Sequence, residues 1–411
     1  MNRQRAGMGL AGVALVLLVG TFAVGAALAP AASSGATGRA DNGTLVGIQG
    51  GGVGWHKYGS VVMYDGQGQE RWRVDDTDSY FDVTYRENGT VLAGFMHGGY
   101  GDCGPYDSPC VHTGFRVLDP NASDPVTDEY GFPVRTQKNS EVHDVEELPS
   151  GEYLLTDMEY ERIFTVVRNG TVTWQWNASS YYDAPDDPTR TDWLHINDVD
   201  VIGEDRYLVS VRNANQLLVI GRGEGVVEVI NENRDPDVLN HQHNPQWLGE
   251  GRVLVADSDN DRIVELQRNE SGTWEVAWTR SEVGGVELTW PRDADRLPNG
   301  HTLITDTINK RIVEIDENGS VVWSVTTDRI PYEADRVPVG ERAGVGVDGR
   351  TTATGDGSVD RTPVLTPLLG LLRVSVPLPF WFAETHLAGV LASLALGAAG
   401  GVVWWRADPD G

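Results

Sequence analysis

The chain has 411 residues, of which 40% are hydrophobic, so it is long enough to bury a large core. Its 32 basic and 60 acidic residues give a formal net charge of −28 at pH 7, and lysine occurs only at positions 57, 138 and 310. This balance argues against a nucleic-acid partner, whose phosphates need a basic surface. It favours a halophilic protein, because concentrated salt screens self-repulsion, and a calcium-binding surface is the alternative.

The first predicted element is an apolar segment at the N-terminus. Ala6 to Ala32 carries no charge and follows Arg3 and Arg5, which predicts a signal peptide or an uncleaved signal anchor over residues 1–35. Ala27-Leu28-Ala29 resembles a cleavage site. Pro30 argues against cutting, and the segment is long enough to span a membrane.

A short phrase then recurs along the chain. It is complete at Asp144 (DVEELPSG) and Asp293 (DADRLPNG), with looser copies at Asp82, Asp198, Asn244 and Glu333. Predicted strands follow the copies, as at Glu152–Thr156 and His301–Thr305. A four-stranded unit that recurs at intervals of 40 to 62 residues is typical of propeller blades.

The two ends of the repeated region complement each other. Thr44–Ile48, Ser60–Tyr64 and Glu70–Val74 are predicted strands without a preceding phrase, whereas the last phrase, at Glu333, has no strands after it. Pairing the C-terminal strand with the N-terminal three removes the exposed sheet edges. We therefore predict an all-β fold, a six-bladed β-propeller over residues 42–340 closed by N- and C-terminal strands. Because the copies at Asp82 and Asp198 are weak, five or seven blades stay open.

Two features indicate an exported domain. The only cysteines, Cys103 and Cys110, are predicted to close a small loop as a disulfide, with a two-cysteine metal site as the weaker alternative. Glycosylation sequons, several of them on tight turns, occur at Asn42, Asn88, Asn121, Asn169, Asn177, Asn269 and Asn318.

The C-terminal region is predicted in three parts. A flexible linker covers 341–363, an apolar membrane-proximal segment covers 364–386, and a transmembrane helix covers 387–405. With Arg3 and Arg5 inside and two membrane helices flanking the propeller, we expect the propeller to lie outside the cell membrane and both tails to lie in the cytoplasm.

Histidines recur where the phrase begins, at the point where inner strands line a propeller channel. They are His143, His195, His241 and His243, with Asn197 in the second group and Arg292 in the fourth. Each histidine alone could simply pair with an aspartate and connect neighbouring strands. Their coincidence at equivalent repeat positions favours a shared functional site.

These phrases resemble the arylsulfotransferase family over roughly residues 44–340. His-Asp-Val-Glu-Glu-Leu-Pro-Ser-Gly, His-Ile-Asn-Asp-Val-Asp, Ser210-Val-Arg212-Asn and Gln242-His243-Asn-Pro occur in the family's order, with Ala256-Asp-Ser-Asp-Asn-Asp-Arg-Ile following. The likeness suggests a haloarchaeal-type, membrane-anchored member. It implies a six-bladed propeller that passes a sulfuryl group between phenols without a nucleotide donor.

The resemblance also implies roles for individual residues. His243 matches the nucleophilic histidine, His143 and His195 match the histidines that bind sulfate oxygens and handle the phenolic proton, and Arg212 matches the sulfate-clamping arginine. Arg292 lies nearest to the place of a family lysine, but an arginine does not readily exchange a proton. His241 competes with His243 for the nucleophile role. Trp193 and Trp290 are the predicted aromatic wall for the substrate.

The leading hypothesis is a nucleotide-independent aryl-sulfate sulfotransferase that needs no cofactor and no metal. Its partners would be a small aryl sulfate, a phenol and the membrane, and the sequence does not predict its oligomeric state. A non-catalytic extracellular propeller that binds a ligand or protein is the alternative. A zinc site or a metal-dependent hydrolase or lyase is a third option.

Overall fold

The computed structural model describes residues 3–28, 40, 42–51, 55–249, 251–339, 343–344, 362–376, 378–379 and 381–405. The chain divides into a terminal unit, Met1–Ala32 with Asp360–Gly411, and a β unit, Ser33–Val359.

The β unit is built from six four-stranded antiparallel sheets. Blade 1 contains β26 (Ile330–Arg336), β1 (Thr44–Gly50), β2 (Gly59–Tyr64) and β3 (Glu70–Thr77). Blade 2 contains β4 (Ser79–Tyr85), β5 (Val91–Tyr100), β6 (Cys110–Leu118) and β7 (Val126–Val134). Blade 3 contains β8 (Val145–Glu147), β9 (Tyr153–Asp157), β10 (Arg162–Val166) and β11 (Val172–Asn177).

The second half repeats the pattern. Blade 4 contains β12 (Ile196–Gly203), β13 (Arg206–Val211), β14 (Gln216–Gly221) and β15 (Gly225–Ile230). Blade 5 contains β16 (His243–Gly249), β17 (Arg252–Asp257), β18 (Arg262–Arg268) and β19 (Trp274–Arg280). A hairpin of β20 (Glu282–Val283) and β21 (Val286–Glu287) precedes blade 6, which contains β22 (Asp293–Arg296), β23 (Thr302–Asp306), β24 (Arg311–Ile315) and β25 (Val321–Thr326). The predicted six-bladed propeller is confirmed.

The ring closes as the sequence predicts. β26 pairs antiparallel with β1, from Thr44 opposite Arg336 to Gly50 opposite Ile330. Blade 1 therefore combines one C-terminal strand with three N-terminal strands. Because β1 begins where β26 ends, the chain enters and leaves the β unit at one face, here called the lower face. The inner strands β4, β8, β12, β16, β22 and β26 begin at the opposite, upper face.

The acidic residue of the repeated phrase connects neighbouring blades. At four of the six blade junctions its carboxylate accepts a hydrogen bond from the backbone N–H of the next inner strand. These inter-blade ties are Asp82 Oδ2 with Val145 N at 3.3 Å, Asp144 Oδ2 with Val199 N at 2.7 Å, Asp293 Oδ2 with Ala334 N at 3.0 Å and Glu333 Oε1 with Val83 N at 3.4 Å.

The two remaining junctions differ because their residues differ. Asp198 would face residue 245, but Pro245 has no N–H to donate. At the next junction the phrase carries Asn244, which donates to Glu333 Oε2 at 3.2 Å. There Gln246 Oε1 accepts the N–H of Arg296 at 2.7 Å instead. The repeated carboxylate thus has a structural role, separate from that of the residue before it.

The predicted disulfide is confirmed. Cys103 and Cys110 are joined in the loop between β5 and β6, on the upper face. Among the predicted glycosylation sites, the side chains of Asn42, Asn88, Asn121, Asn169 and Asn318 are exposed, and Asn177 and Asn269 are half-buried. Glycosylation itself stays a prediction.

The terminal unit contains α1 (Arg3–Leu28), α2 (Leu365–Ser375) and α3 (Glu384–Trp405). Two of its helices, over Gln4–Ala27 and Glu384–Trp405, are long and apolar enough to cross a membrane. Ser393 Oγ of α3 donates a hydrogen bond to the Ala14 carbonyl of α1 at 2.7 Å, so the two helices contact each other. α3 begins before the predicted start at residue 387. Most of the predicted linker 341–363, and part of the proposed cleavage site, lie outside the described residues.

The ties give a first testable prediction. Asp144→Ala leaves the buried N–H of Val199 without its acceptor, and we expect a loss of about 2 kcal/mol in unfolding free energy, measured by urea denaturation in chelator-containing buffer. Asp198→Ala is the matched control, because it removes the same atoms at the junction where proline prevents the tie. We expect it to cost clearly less. Equal losses in the two variants would contradict the role of the tie.

Candidate functional site

Six residues at equivalent repeat positions meet on the propeller axis at its upper face. Each directly precedes the residue with which the phrase begins, and together they form what we call the axial ring: Phe81, His143, Asn197, His243, Arg292 and Tyr332. Tyr332 is central. Its ring lies 5.6 Å from Phe81, 5.2 Å from His143 and 6.3 Å from His243, and the Arg292 guanidinium lies 4.8 Å above it. The Tyr332 hydroxyl donates to the Asn197 carbonyl at 3.3 Å.

Local irregularities of the inner strands explain why these side chains reach the axis. Strand register shifts between Tyr80 and Val83 in β4, between Ile196 and Asp198 in β12, and between His243 and Gln246 in β16. Such bulges redirect a side chain that regular alternation would point into the blade. In blade 3 Thr156 Oγ1 instead accepts both the His143 and Asp144 N–H groups, at 3.1 Å each.

His243 is held as a neutral imidazole with one defined tautomer. Its Nδ1 lies 2.8 Å from Ser258 Oγ, and that hydroxyl donates its own proton to the Pro291 carbonyl at 2.7 Å. Nδ1 must therefore carry the hydrogen, which leaves the lone pair on Nε2. Only 1% of His243 is exposed. Burial, and the nearby charges of Arg292 and Arg212, place its pKa well below 6.5.

The other two histidines are held differently. His195 Nδ1 lies 2.8 Å from an Asp192 carboxylate oxygen, which holds its hydrogen and leaves Nε2 as the acceptor. Its ring lies 5.4 Å from that of His143. Burial lowers the pKa of both imidazoles, although Asp192 partly opposes this for His195 and Glu141 for His143. Two neutral imidazoles therefore stand side by side at the axis.

Two arginines supply positive charge. The Arg292 guanidinium lies 5.1, 4.6 and 4.8 Å from the rings of Trp55, Trp290 and Tyr332, so three aromatic faces surround it. Burial lowers its pKa to about 10, so it stays charged at neutral pH. Arg212 follows β13, its backbone N–H donates to the His195 carbonyl at 3.3 Å, and burial lowers its pKa as well.

The backbone at the site is unusual. His195, His241 and Trp290 have φ values of 55°, 49° and 50°, and Trp55 has 61°. Non-glycine residues seldom adopt this left-handed conformation, which costs free energy and therefore has to be held by the surrounding structure. Side-chain acceptors hold the conformation, since Glu161 Oε1 accepts the His195 N–H at 2.7 Å and Asp261 Oδ1 accepts that of Trp290 at 2.8 Å.

The predicted site residues fall into two groups. Six of them lie together on the axis or directly beside it: His143, His195, His243, Asn197, Arg292 and Trp290. Arg212 lies next to this group, because its backbone N–H donates to the His195 carbonyl. His241 lies at the side, with Nδ1 at 2.7 Å from Asp259, which also accepts the Trp290 indole N–H at 2.9 Å. Trp193 packs against the apolar core between blades 3 and 4. None of the contacts described in the structure joins it to the axial ring.

The structure adds residues that the sequence did not reveal. His56 Nε2 lies 3.1 Å from Glu141, whose carboxylate faces His143 and His195. Burial opposes ionisation of Glu141, but the hydrogen bond from His56 and the nearby imidazoles outweigh it and lower its pKa to about 2. Tyr332 could have been found, because it precedes Glu333 just as His143 precedes Asp144. No motif marks His56, whereas Ser258 lies within the phrase Ala256-Asp-Ser-Asp-Asn-Asp-Arg-Ile, which by itself does not indicate a contact with His243.

Part of the site lies in a stretch of the chain that resembles a known family. The profile of the family described as Arylsulfotransferase (ASST) matches residues 52–234, which is less than half of the chain. The matched region contains His143, His195, Asn197 and Arg212 and ends before His243. The search of curated proteins finds no match.

Solved structures resemble the propeller at low identity. A protein of unknown function from Bacteroides caccae is 15% identical, with a TM-score of 0.52 over 72% of this chain and 98% of that one. The periplasmic gluconolactonase of Pseudomonas aeruginosa is also 15% identical, with a TM-score of 0.44 over 72% and 86% of the two chains. Virginiamycin B lyase from Staphylococcus aureus is 11% identical, with a TM-score of 0.38 over 59% and 69%. The first of these likenesses shows the fold alone.

The electrostatics of the ring give a second prediction. In Arg292→Gln the pKa of His243 should rise, because the nearest positive charge that disfavours the imidazolium is removed. It should stay below 6.5, because burial, the larger cause, is kept. NMR titration of the histidine rings measures this.

Arg71→Gln is the control for that titration, because Arg71 is largely exposed and pairs with Asp65 at the surface. It should leave the titration of His243 unchanged. If Arg292→Gln also leaves it unchanged, the arrangement of charges described here is wrong.

Proposed function

We propose that this chain is a nucleotide-independent aryl-sulfate sulfotransferase of the arylsulfotransferase family. The observation that carries the proposal is the neutral His243 imidazole, held by Ser258 with its lone pair on Nε2, beside the positive charges of Arg292 and Arg212. The match of the family profile to residues 52–234 supports it from an independent direction.

In the first step, Nε2 of His243 attacks the sulfur of an aryl sulfate. The N–S bond forms as the bond between sulfur and the aryl oxygen breaks, and the phenolate leaves. A neutral imidazole is a competent nucleophile without prior loss of a proton, so the depressed pKa of His243 favours this step. Ser258 keeps the reactive nitrogen oriented towards the axis.

Charge on the transferring group must be stabilised. Sulfuryl transfer resembles phosphoryl transfer, in which a loose transition state spreads negative charge over three oxygens. Arg292 and Arg212 carry fixed positive charge beside His243, and burial strengthens their interaction with an anion. Arg292 would bind the sulfate oxygens in place of the family lysine and take no part in proton transfer.

The departing phenolate takes its proton from water, because neutral His195 carries its one hydrogen on Nδ1, held by Asp192, and has none on Nε2 to give. His195 is instead the proposed base of the second half-reaction, and it later releases the proton that it accepts to water. In the second half of the reaction an acceptor phenol gives its proton to His195, its oxygen attacks sulfur, and the N–S bond breaks. His143, with the Glu141 and His56 pair behind it, orients the sulfate oxygens.

Transfer activity provides the test. The purified chain, in detergent and concentrated salt, should move the sulfuryl group from 4-nitrophenyl sulfate to phenol, followed by release of nitrophenol. His243→Ala should lower kcat by about 10³-fold or more, because the nucleophile is lost. His241→Ala should lower it less, since His241 lies at the side of the ring.

His97→Ala serves as the control for histidine removal, because His97 pairs with Asp78 away from the ring. It should keep the activity of the unchanged chain. Turnover that survives His243→Ala would contradict the nucleophile assignment. Binding of the aryl sulfate without any turnover would favour the non-catalytic propeller.

We also propose that the propeller lies outside the cell membrane. Two helices are long and apolar enough to span, Arg3 and Arg5 precede the first of them, and a disulfide persists in oxidising compartments. Protease added to intact cells should therefore digest the propeller, and peptides that contain Asn88 or Asn121 should carry glycans. Digestion only after lysis would contradict this orientation.

A further inference from the structure

A second set of polar residues lies on the propeller axis, below the axial ring. The inner strands place nine acidic side chains there, which we call the channel carboxylates: Asp82, Asp144, Glu146, Asp198, Asp200, Asp293, Asp295, Glu333 and Asp335. Alternation fixes their direction. Val199 and Val201 belong to a blade core, so Asp198 and Asp200 point to the other side of β12, towards the axis.

Three of these carboxylates are buried with an unpaired oxygen. Asp198, Asp200 and Asp295 are only 4%, 7% and 2% exposed. Oδ2 of Asp198, Oδ2 of Asp200 and Oδ1 of Asp295 accept no hydrogen bond from the described residues. Buried carboxylate oxygens are almost always paired, so each such atom indicates a missing partner.

Protein cations do not supply that partner. No lysine or arginine in the described ranges forms an ion pair with Asp198, Asp200 or Asp295. Arg296 and Arg336, which directly follow the channel residues Asp295 and Asp335, pair instead with Glu265 and Glu314 within the blades. The carboxylates also repel one another. For example, the charges of Asp144 and Asp293 both disfavour ionisation of Asp200. A bound cation would satisfy the unpaired oxygens and remove this repulsion.

We propose that the channel below the axial ring binds a divalent cation of the Mg²⁺ or Ca²⁺ type, which stabilises the propeller. The donors are carboxylate oxygens, the ligands that such hard cations prefer. Among the described residues no group of three His, Cys, Asp or Glu side chains is arranged to hold a metal directly. The ion therefore keeps part of its water shell and contacts the carboxylates largely through water.

A cavity on the lower face lies next to the channel. Its volume is about 640 Å³, and it is lined by Thr84, Glu146 and Glu147. Glu146 is itself a channel carboxylate, so the cavity borders the channel at its lower end. The axial ring lies at the opposite face, and the inference does not depend on sulfuryl transfer.

Thermal unfolding of chelator-treated protein tests the proposal. Added MgCl2 or CaCl2 should raise Tm by roughly 5 °C at about 100-fold excess over Kd, relative to KCl of equal ionic strength. Asp200→Asn combined with Asp295→Asn removes two charges from the channel. This variant should be more stable than the unchanged chain without divalent ions and should lose most of the response to them.

Asp183→Asn combined with Glu204→Gln is the matched control, because both side chains are exposed and the same charge is removed. It should keep the full response, which separates channel binding from screening of the acidic surface. If the double channel variant does not fold, Asp200→Asn alone and equilibrium dialysis of Mg²⁺ against the unchanged chain replace it. An equal response in channel and control variants, or no response beyond KCl, would overturn the proposal.

A proton is the competing occupant of the channel. Burial first, and then mutual repulsion, raises the pKa of Asp198, Asp200 and Asp295 well above the usual value. The measurements therefore belong at alkaline pH, where protons compete least. Stability that depends on pH but not on divalent ions would show that protons, rather than a metal, occupy the channel.

Discussion

The structure depends on the hydrogen bond between a buried carboxylate of one inner strand and the backbone N–H of the next. Asp82, Asp144, Asp293 and Glu333 each make it, and together they fix the spacing of blades around the axis. Because the tie uses the residue with which each phrase begins, the residue before it always stands at the upper end of the channel. Structural and chemical roles therefore occupy adjacent positions of one repeat.

Closure of the ring completes the site as well as the fold. Tyr332 lies on β26, the strand that pairs with the N-terminal strands, and it contacts His143, His243 and Arg292. The same pairing that removes the exposed sheet edges thus brings a buried aromatic ring to the centre of the axial ring. Burial around it keeps the imidazoles neutral, while cation–π contacts and the bond to Gln49 hold Arg292.

Much of this arrangement could be predicted from the sequence, because both fold and site follow one repeated phrase. The offset from the phrase places His143, Asn197, His243 and Arg292 on the axis, and the unmatched strands at the two ends predict closure. Tyr332 has the same offset, but a tyrosine in the last copy gives no obvious chemical signal. His56 comes from the loop between β1 and β2, outside the repeat, so only the folded chain shows its contact with Glu141.

The unpaired channel oxygens could not be predicted either. They result from the proline at one blade junction and from the side of the inner strand to which each carboxylate points. Pro245 removes the donor that Asp198 would otherwise have, and alternation directs Asp200 and Asp295 to the same axis. Trp193 illustrates the opposite case. Its position beside His195 suggests a substrate wall, whereas tertiary packing places it against the core of blades 3 and 4.

The central claim is that His243 carries the sulfuryl group between two phenols. Mass spectrometry of the protein after exposure to an aryl sulfate, with no acceptor present, tests it most directly. The account predicts a gain of one SO3 group on the peptide that contains His243, which a phenol then removes. An adduct on His241, or transfer to phenol without any protein adduct, would contradict it.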